Sequence, residues 1–223
     1  MPNQTSGFTL IELMIVTAIV GILAGVAVPN LIASRAVTNE RAVLATLRSV
    51  ATAQTLCRSQ NAVDIDRDGQ GEALGLGEMA GTQPLRSGTG VLAPACLAPS
   101  VGTLDSAGYG RSKGYLIALY LPDAAGNGVL AVPSNAASID PDQAEVSWSC
   151  VAWPLTRGRT GNASYFLNQT GEILVAKAAL YDGTISVPPP GAGLVGVPAT
   201  AIVGGALAAN TTGADGNVWN TPQ

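Results

Sequence analysis

Residues 8–32 read FTLIELMIVTAIVGILAGVAVPNLI, and this stretch decides the architecture. Glu12 is the one charged residue in its 25 positions. At about 1.5 Å per residue, a helix of that length reaches about 37 Å, more than the roughly 30 Å hydrocarbon core of a bilayer. The seven residues before it, MPNQTSG, are polar and uncharged. An ordinary secretory signal would have a basic start, a shorter apolar core and a small-residue cleavage site beyond that core. Here no Lys or Arg precedes the core, which runs straight on into Asn30-Leu31-Ile32-Ala33-Ser34-Arg35. The stretch therefore reads as a membrane-spanning helix.

Glu12 admits two readings. A carboxylate at the centre of a span costs about 2.5–3.5 kcal/mol on insertion scales and is usually functional. Thr9-Leu10-Ile11-Glu12 also matches a capping box, in which Glu reaches back to the amide of the N-cap residue. Negative charge is favoured near a helix N-terminus in any case. Taken by themselves, the residues leave both readings open.

Gly7-Phe8-Thr9-Leu10-Ile11-Glu12 resembles the prepilin peptidase site of type IV pilins and type II secretion pseudopilins. The resemblance extends to about Pro29, with Gly21 and Pro29 at the spacing from Phe8 of the family's helix-softening positions. It implies cleavage after Gly7, N-methylation of the new terminal Phe8, and a role for Glu12 in assembly. There, the positive amine of a neighbouring subunit's Phe8 would meet Glu12 and set the axial register of a filament. On that view the chain from Met1 is the precursor. Its partners would be identical or related pilin subunits, a prepilin peptidase, an inner-membrane assembly platform and the lipid bilayer. The expected location is a bacterial inner membrane, crossed once with the head in the periplasm, and then a periplasmic or cell-surface filament. Energy for extension would come from partner ATPases, because no GxxxxGK[ST] nucleotide loop occurs in the chain.

Two further features of the span bear on packing. Gly21 and Gly25 form a GxxxG, which lets helices approach closely in lipid. Pro29 has no amide to donate and disturbs the preceding turn, so a kink or local melting is expected between Gly21 and Pro29.

Beyond the span, Val43, Leu44, Leu47, Val50, Ala51 and Cys57 fall on one helical face, with Arg41 and Arg48 off it. The helix is expected to continue to about Gln60 and to back a sheet formed later in the chain. Strand candidates are Tyr115–Leu121, Val129–Val132, Val146–Trp153, Tyr165–Leu167 and Glu172–Ala176. Asn168-Gln169-Thr170-Gly171 is the turn of a hairpin. The predicted fold is α+β: a long N-terminal helix, transmembrane then amphipathic, packed on a C-terminal antiparallel sheet of about four strands. The expected divisions are a leader at 1–7, a transmembrane and assembly helix at 8–32, and its amphipathic continuation at 33–60. An acidic turn and connecting loop occupy 61–114, the sheet 115–182, and a Gly/Pro-rich region 183–223. That last region reads as a loosely packed tail, edge strands or a partner contact, and the residues do not choose among them.

In the acidic turn, Asp64, Asp66, Asp68 and Gly69 match the start of a calcium loop, D-x-D-x-D-G. Carboxylates two apart on a tight turn converge on a hard cation, and glycine permits the bend. The bidentate Glu that completes an EF-hand would fall at Gly75, so an EF-hand is disfavoured; Glu72 is the candidate additional ligand. The competing reading is a polar turn whose Asp side chains bond the local backbone. Asp140, Asp142 and Glu145 read as solvated loop charges.

Composition narrows the function classes. The 223 residues are 47% hydrophobic and only 12% charged, with a net charge of −4. Such a chain lacks the basic surface for nucleic-acid binding. It has no histidine, which excludes Ser-His-Asp and Cys-His catalysis and His-based zinc sites. An enzyme is therefore not expected. Three cysteines allow one internal bridge; the expected pair is Cys96 with Cys150, and Cys57 reads as a buried thiol. Two readings of function follow: a filament subunit, or a membrane-tethered periplasmic module with a calcium-binding loop.

Overall fold

The computed structural model describes residues 8–88 and 90–222. It is an α+β protein dominated by one helix, α1 (Leu10–Ser59), of 50 residues. At 1.5 Å per residue it is about 75 Å long. Its N-cap is Thr9, in an extended conformation. Its end is set by Asn61 in the left-handed region, φ 48°. The Ala62 amide reaches the Cys57 carbonyl and the Asn61 amide that of Arg58, at 3.1 and 3.0 Å. This is a Schellman closure with Asn in the place glycine usually takes.

The two halves of α1 have opposite surroundings. Large apolar side chains from Phe8 to Leu31 are at least half exposed, and the segment is long and apolar enough to cross a membrane. In the second half Ala36, Val43, Val50 and Cys57, seven residues apart, are buried with Leu47, Ala53 and Gln54. Leu44 and Ala51 pack at the margin of that stripe, and Arg41 and Arg48 are exposed as expected. The helix runs unbroken through Pro29. The expected local melting is therefore not observed: proline removes the bond to the Gly25 carbonyl and crowds that carbonyl, but the flanking turns stay helical.

After the helix come the acidic turn, α2 (Leu76–Met79) and α3 (Pro99–Gly102). The sheet follows. Its strands are β1 (Gly110–Ser112), β2 (Tyr115–Pro122), β3 (Gly128–Leu130), β4 (Ser149–Pro154), β5 (Ser164–Asn168) and β6 (Ile173–Ala176). Every pairing is antiparallel, in the order β1-β2-β4-β5-β6, with β3 sharing the β1 edge of β2. The hairpin between β5 and β6 turns at Gly171, whose φ is 79°. The strand expected from Val146 begins only at Ser149, because Val146 closes α4 (Pro141–Val146). Pro141 at the first turn and Asp140 as N-cap, accepting from the Gln143 amide at 3.0 Å, favour helix there.

Strands β2, β4, β5 and β6 are buried at every position. Alternate residues serve different cores, the period-2 consequence of strand geometry. Tyr115, Ile117, Leu119 and Leu121 of β2 face the α1 side, with Cys150, Tyr165 and Leu167. Leu116, Ala118 and Tyr120 face the other way, with Val151, Trp153, Phe166 and Leu174.

The second core is covered by the Gly/Pro-rich region, which settles what that region does in the fold. Its regular structure is slight: β7 (Leu194–Val195) pairs with β8 (Ala206–Leu207), and β9 (Thr211–Thr212) with β10 (Val218–Trp219). Ala192, Leu194, Ile202, Ala208 and Trp219 are nonetheless buried against the sheet. Hydrogen bonds anchor the layer. Trp153 Nε1 donates to the Gly183 carbonyl at 2.7 Å, and Asp215 accepts from Tyr181 Oη at 2.6 Å and from Trp219 Nε1 at 3.1 Å. The stretch read as a connecting loop is likewise packed: Leu74, Leu76 and Met79 are fully enclosed in the first core. Gln54 of α1, itself buried, holds it by exchanging two bonds with the Leu74 main chain, at 2.7 and 2.9 Å.

Candidate functional site

The start of α1 forms a complete capping box. The Thr9 amide donates to Glu12 Oε2 at 2.9 Å, the Thr9 hydroxyl donates to the same oxygen at 2.7 Å, and the Glu12 amide returns a bond to Thr9 Oγ1 at 3.3 Å. The structural role of Glu12 is thus realised within one chain. Glu12 Oε1 accepts no bond among the described residues. Phe8, just before the N-cap Thr9, is 79% exposed; Gly7, the other residue of the expected processing site, lies outside the described residues. Around Gly21 and Gly25 an added Cβ would meet nothing within 4 Å. Both glycines therefore present open surface on which a second helix can lie close.

The acidic turn is closed by the Glu72 amide, which donates to the Val63 carbonyl at 3.0 Å. Its carboxylates do bond the local backbone. Asp64 Oδ2 accepts from the Gly69 amide at 3.2 Å, Asp66 Oδ1 from the Asp68 amide at 3.2 Å, and Asp68 Oδ1 from the Gln70 amide at 2.7 Å. The Asp68 carboxyl sits below its ordinary range because of those Gln70 bonds. Gly69 at φ 91° makes the bend. One carboxylate oxygen from each of Asp64, Asp66 and Asp68 lies within 4.8 Å of the other two.

Glu72 does not join them. Its Oε1 accepts from the Ile65 amide at 2.7 Å and its Oε2 pairs with Arg86 at 3.0 Å. Arg86 also pairs with Glu78 at 2.6 Å and donates to the Ala73 carbonyl at 2.7 Å. All three charged side chains are buried. The expectation of Glu72 as a metal ligand is corrected here: in this enclosed triad its oxygens are already engaged, and removing Arg86 would strand two buried carboxylates.

Glu145 and Asp142 replace Glu72 beside the turn. They stand three apart on α4, so they share a face. One oxygen from each lies within 4.8 Å of the other and of Asp66. Asp142 is exposed but Glu145 is buried, so the reading of Glu145 as a solvated loop charge is also corrected. Burial raises its carboxyl pKa, and the charges of Asp68, Asp66, Asp142 and Glu72 raise it further. The signal in the sequence was Asp140-Pro141-Asp142-Gln143-Ala144-Glu145, an N-capped short helix with two acids on one face. What it did not contain was the distance to the acidic turn.

All three cysteines are free thiols. The structure does not bring Cys96 to Cys150, as was expected. It brings Cys96 beside Cys57 in the helix-side core. Burial, followed by that contact and the charges of Cys96 and Glu78, pushes the Cys57 thiol up to about 12. Cys150 is enclosed on β4 at the middle of the sheet, where burial alone raises its thiol pKa. The helix places Cys57 on the packed stripe, as its spacing predicted; that Cys96 would be the cysteine beside it was not legible from export and cysteine number.

Comparison with known proteins bears on α1. Residues 2–28 match the prokaryotic N-terminal methylation motif. The chain is 49% identical over 51 residues to the type IV major pilin protein PilA of Myxococcus xanthus, a match covering 23% of each chain. It is 47% identical over 59 residues to the type IV wide pilus major component PilA4 of Thermus thermophilus, covering 26% of this chain and 45% of that protein. The matches thus span less than half the length of either relative. No solved structure matches the chain. Through this N-terminal segment, carrying the methylation motif on a long apolar helix, the chain is similar to type IV major pilins.

Proposed function

We propose that the chain is a structural subunit of a type IV pilus-like or type II secretion pseudopilus filament. It is cleaved after Gly7 by a prepilin peptidase and assembled through α1. The observation that carries this reading is the first half of α1. Among the described residues its large apolar side chains stay exposed, whereas the second half of the same helix buries a stripe against the head. In a bilayer, lipid satisfies that surface; in a filament, the helices of neighbouring subunits do.

Cleavage supplies the charge that Glu12 lacks. The new Phe8 α-amine is protonated near neutral pH, with an ordinary pKa of about 7.7–8.0. The free Oε1 of Glu12 on one subunit would accept the Phe8 amine of the next and fix the axial register. Gly21 and Gly25 let the helices come close enough to do so. The head lies in the periplasm before incorporation, and the partners are other pilin subunits, the peptidase and the inner-membrane platform.

Intact-mass and N-terminal peptide mass spectrometry of protein from native membranes tests this reading. A chain that begins at methylated Phe8 is expected. A chain that keeps Met1 in cells with active peptidase would overturn the reading and favour a tethered module, with α1 only an anchor.

A further inference from the structure

Glu145 has no task in the filament reading, yet it is only 6% exposed and its Oε1 has no hydrogen-bond partner. An ionised carboxylate buried without a partner is costly. The groups it faces make the cost greater, because Asp66 and Asp142 stand within 4.8 Å. Asp66 is also shared with the second close group, Asp64, Asp66 and Asp68. Asp64 Oδ1 is a further buried oxygen without a partner. Among the described residues no Lys or Arg nitrogen lies within 4.0 Å of these carboxylates. The salt bridges among the described residues are Arg86 with Glu72 and Glu78, and Arg111 with Asp105.

We propose that Asp64, Asp66 and Asp68 of the turn, together with Asp142 and Glu145 of α4, form a calcium site. Ligand oxygens about 2.3–2.6 Å from one ion lie at most about 5 Å from each other, which matches the spacing within each of the two groups that Asp66 joins. The turn has the register of the first half of a calcium loop, with acids at positions 1, 3 and 5 and the sharp glycine at position 6. Position 12, where such a loop carries its bidentate Glu, is Gly75. Glu145 supplies that carboxylate from a different part of the chain. The Ala73 amide holds the two segments together by donating to the Ala144 carbonyl at 2.9 Å. A wholly carboxylate cage on a turn suits calcium's flexible coordination better than the water-retaining octahedron of magnesium. Bound there, calcium would tie the end of α1 to α4, and so to the sheet.

The test is calorimetric titration of the full-length chain in detergent micelles with calcium chloride, repeated with magnesium chloride, and with thermal unfolding measured in parallel. One saturable calcium site and a raised melting temperature are expected, since a ligand bound only by the folded state stabilises it by mass action. Glu145→Gln should weaken calcium binding by at least about tenfold. That variant removes a buried negative charge, so without calcium it should melt no lower than the native chain, and lost binding is then not lost folding. Asp66→Asn, at the junction of both groups, should weaken binding to a similar extent. Absence of heat and of a melting shift with calcium would overturn the proposal. So would undiminished affinity in Glu145→Gln, or equal affinity for magnesium.

Discussion

The two faces of the central sheet are equally buried and are covered in opposite ways. On one face lies α1, a single helix presenting a stripe with a seven-residue spacing. The other face is covered by residues 183–222, in which the longest strand is two residues. The contrast shows that a sheet face does not require a regular partner. It requires apolar area and a home for the backbone groups that come with it. The helix satisfies its own backbone. The irregular layer does so through turns, through Val175 and Asn220 exchanging bonds at 2.8 and 2.9 Å, and through the cluster around Asp215.

If the irregular layer is a true core, mutations there should be as costly as on the helix side. Trp219→Ala should have the largest effect, about 3–5 kcal/mol, because a fully enclosed indole stacked edge-on to Phe166 at 6.0 Å is removed. Chemical denaturation of the full-length chain measures it, and a loss near zero would reduce the layer to a loose tail. Leu47→Ala on the helix stripe is the matched control, expected to cost about 2–5 kcal/mol in the same experiment. Gly193→Ala probes fit rather than area. An added Cβ would stand 2.5 Å from the buried Phe166 ring, so overpacking of about 1–3 kcal/mol is expected. Glu12→Ala should leave the denaturation midpoint of the packed region unchanged while abolishing incorporation into filaments, read by shearing and immunoblotting. Normal incorporation would break the link between Glu12 and assembly.

Thiol mapping sharpens the same comparison within the helix-side core. Peptide mapping of an oxidised sample should find Cys57 joined to Cys96. Cys150 should be alkylated only after denaturation. A bridge from Cys96 to Cys150 would mean that the packing around Cys57 is wrong.

Much of this was legible in the residues, for identifiable reasons. The strands from Tyr115, Tyr165 and Glu172 were located to within about a residue because β-branched and aromatic runs ended at turn residues. The helix stripe was legible because 3.6-residue periodicity is a local property. The apolar run YLIALYL was read only as a strand, although its lack of polar alternation fits the burial of both faces of β2 that the structure shows. What covers the second face was not legible. The covering residues are small, separated by Gly and Pro, and follow no period. Glu145 was misread for a related reason. A short helix exposes one face and buries the other, and which face an acid occupies depends on what the helix docks against.

The amino-acid sequence by itself determined the membrane-length apolar helix, the Gly7–Glu12 motif at its head, the amphipathic continuation and the main strands. Each rests on composition or spacing within a few turns of chain. Only the tertiary structure decided that residues 183–222 close the sheet, that Cys57 meets Cys96, and that Glu72 turns to Arg86. It alone set Glu145 among the aspartates of a turn far away in the chain. These are encounters between remote segments, and their outcome depends on how whole surfaces exclude water together, which no local pattern of residues encodes.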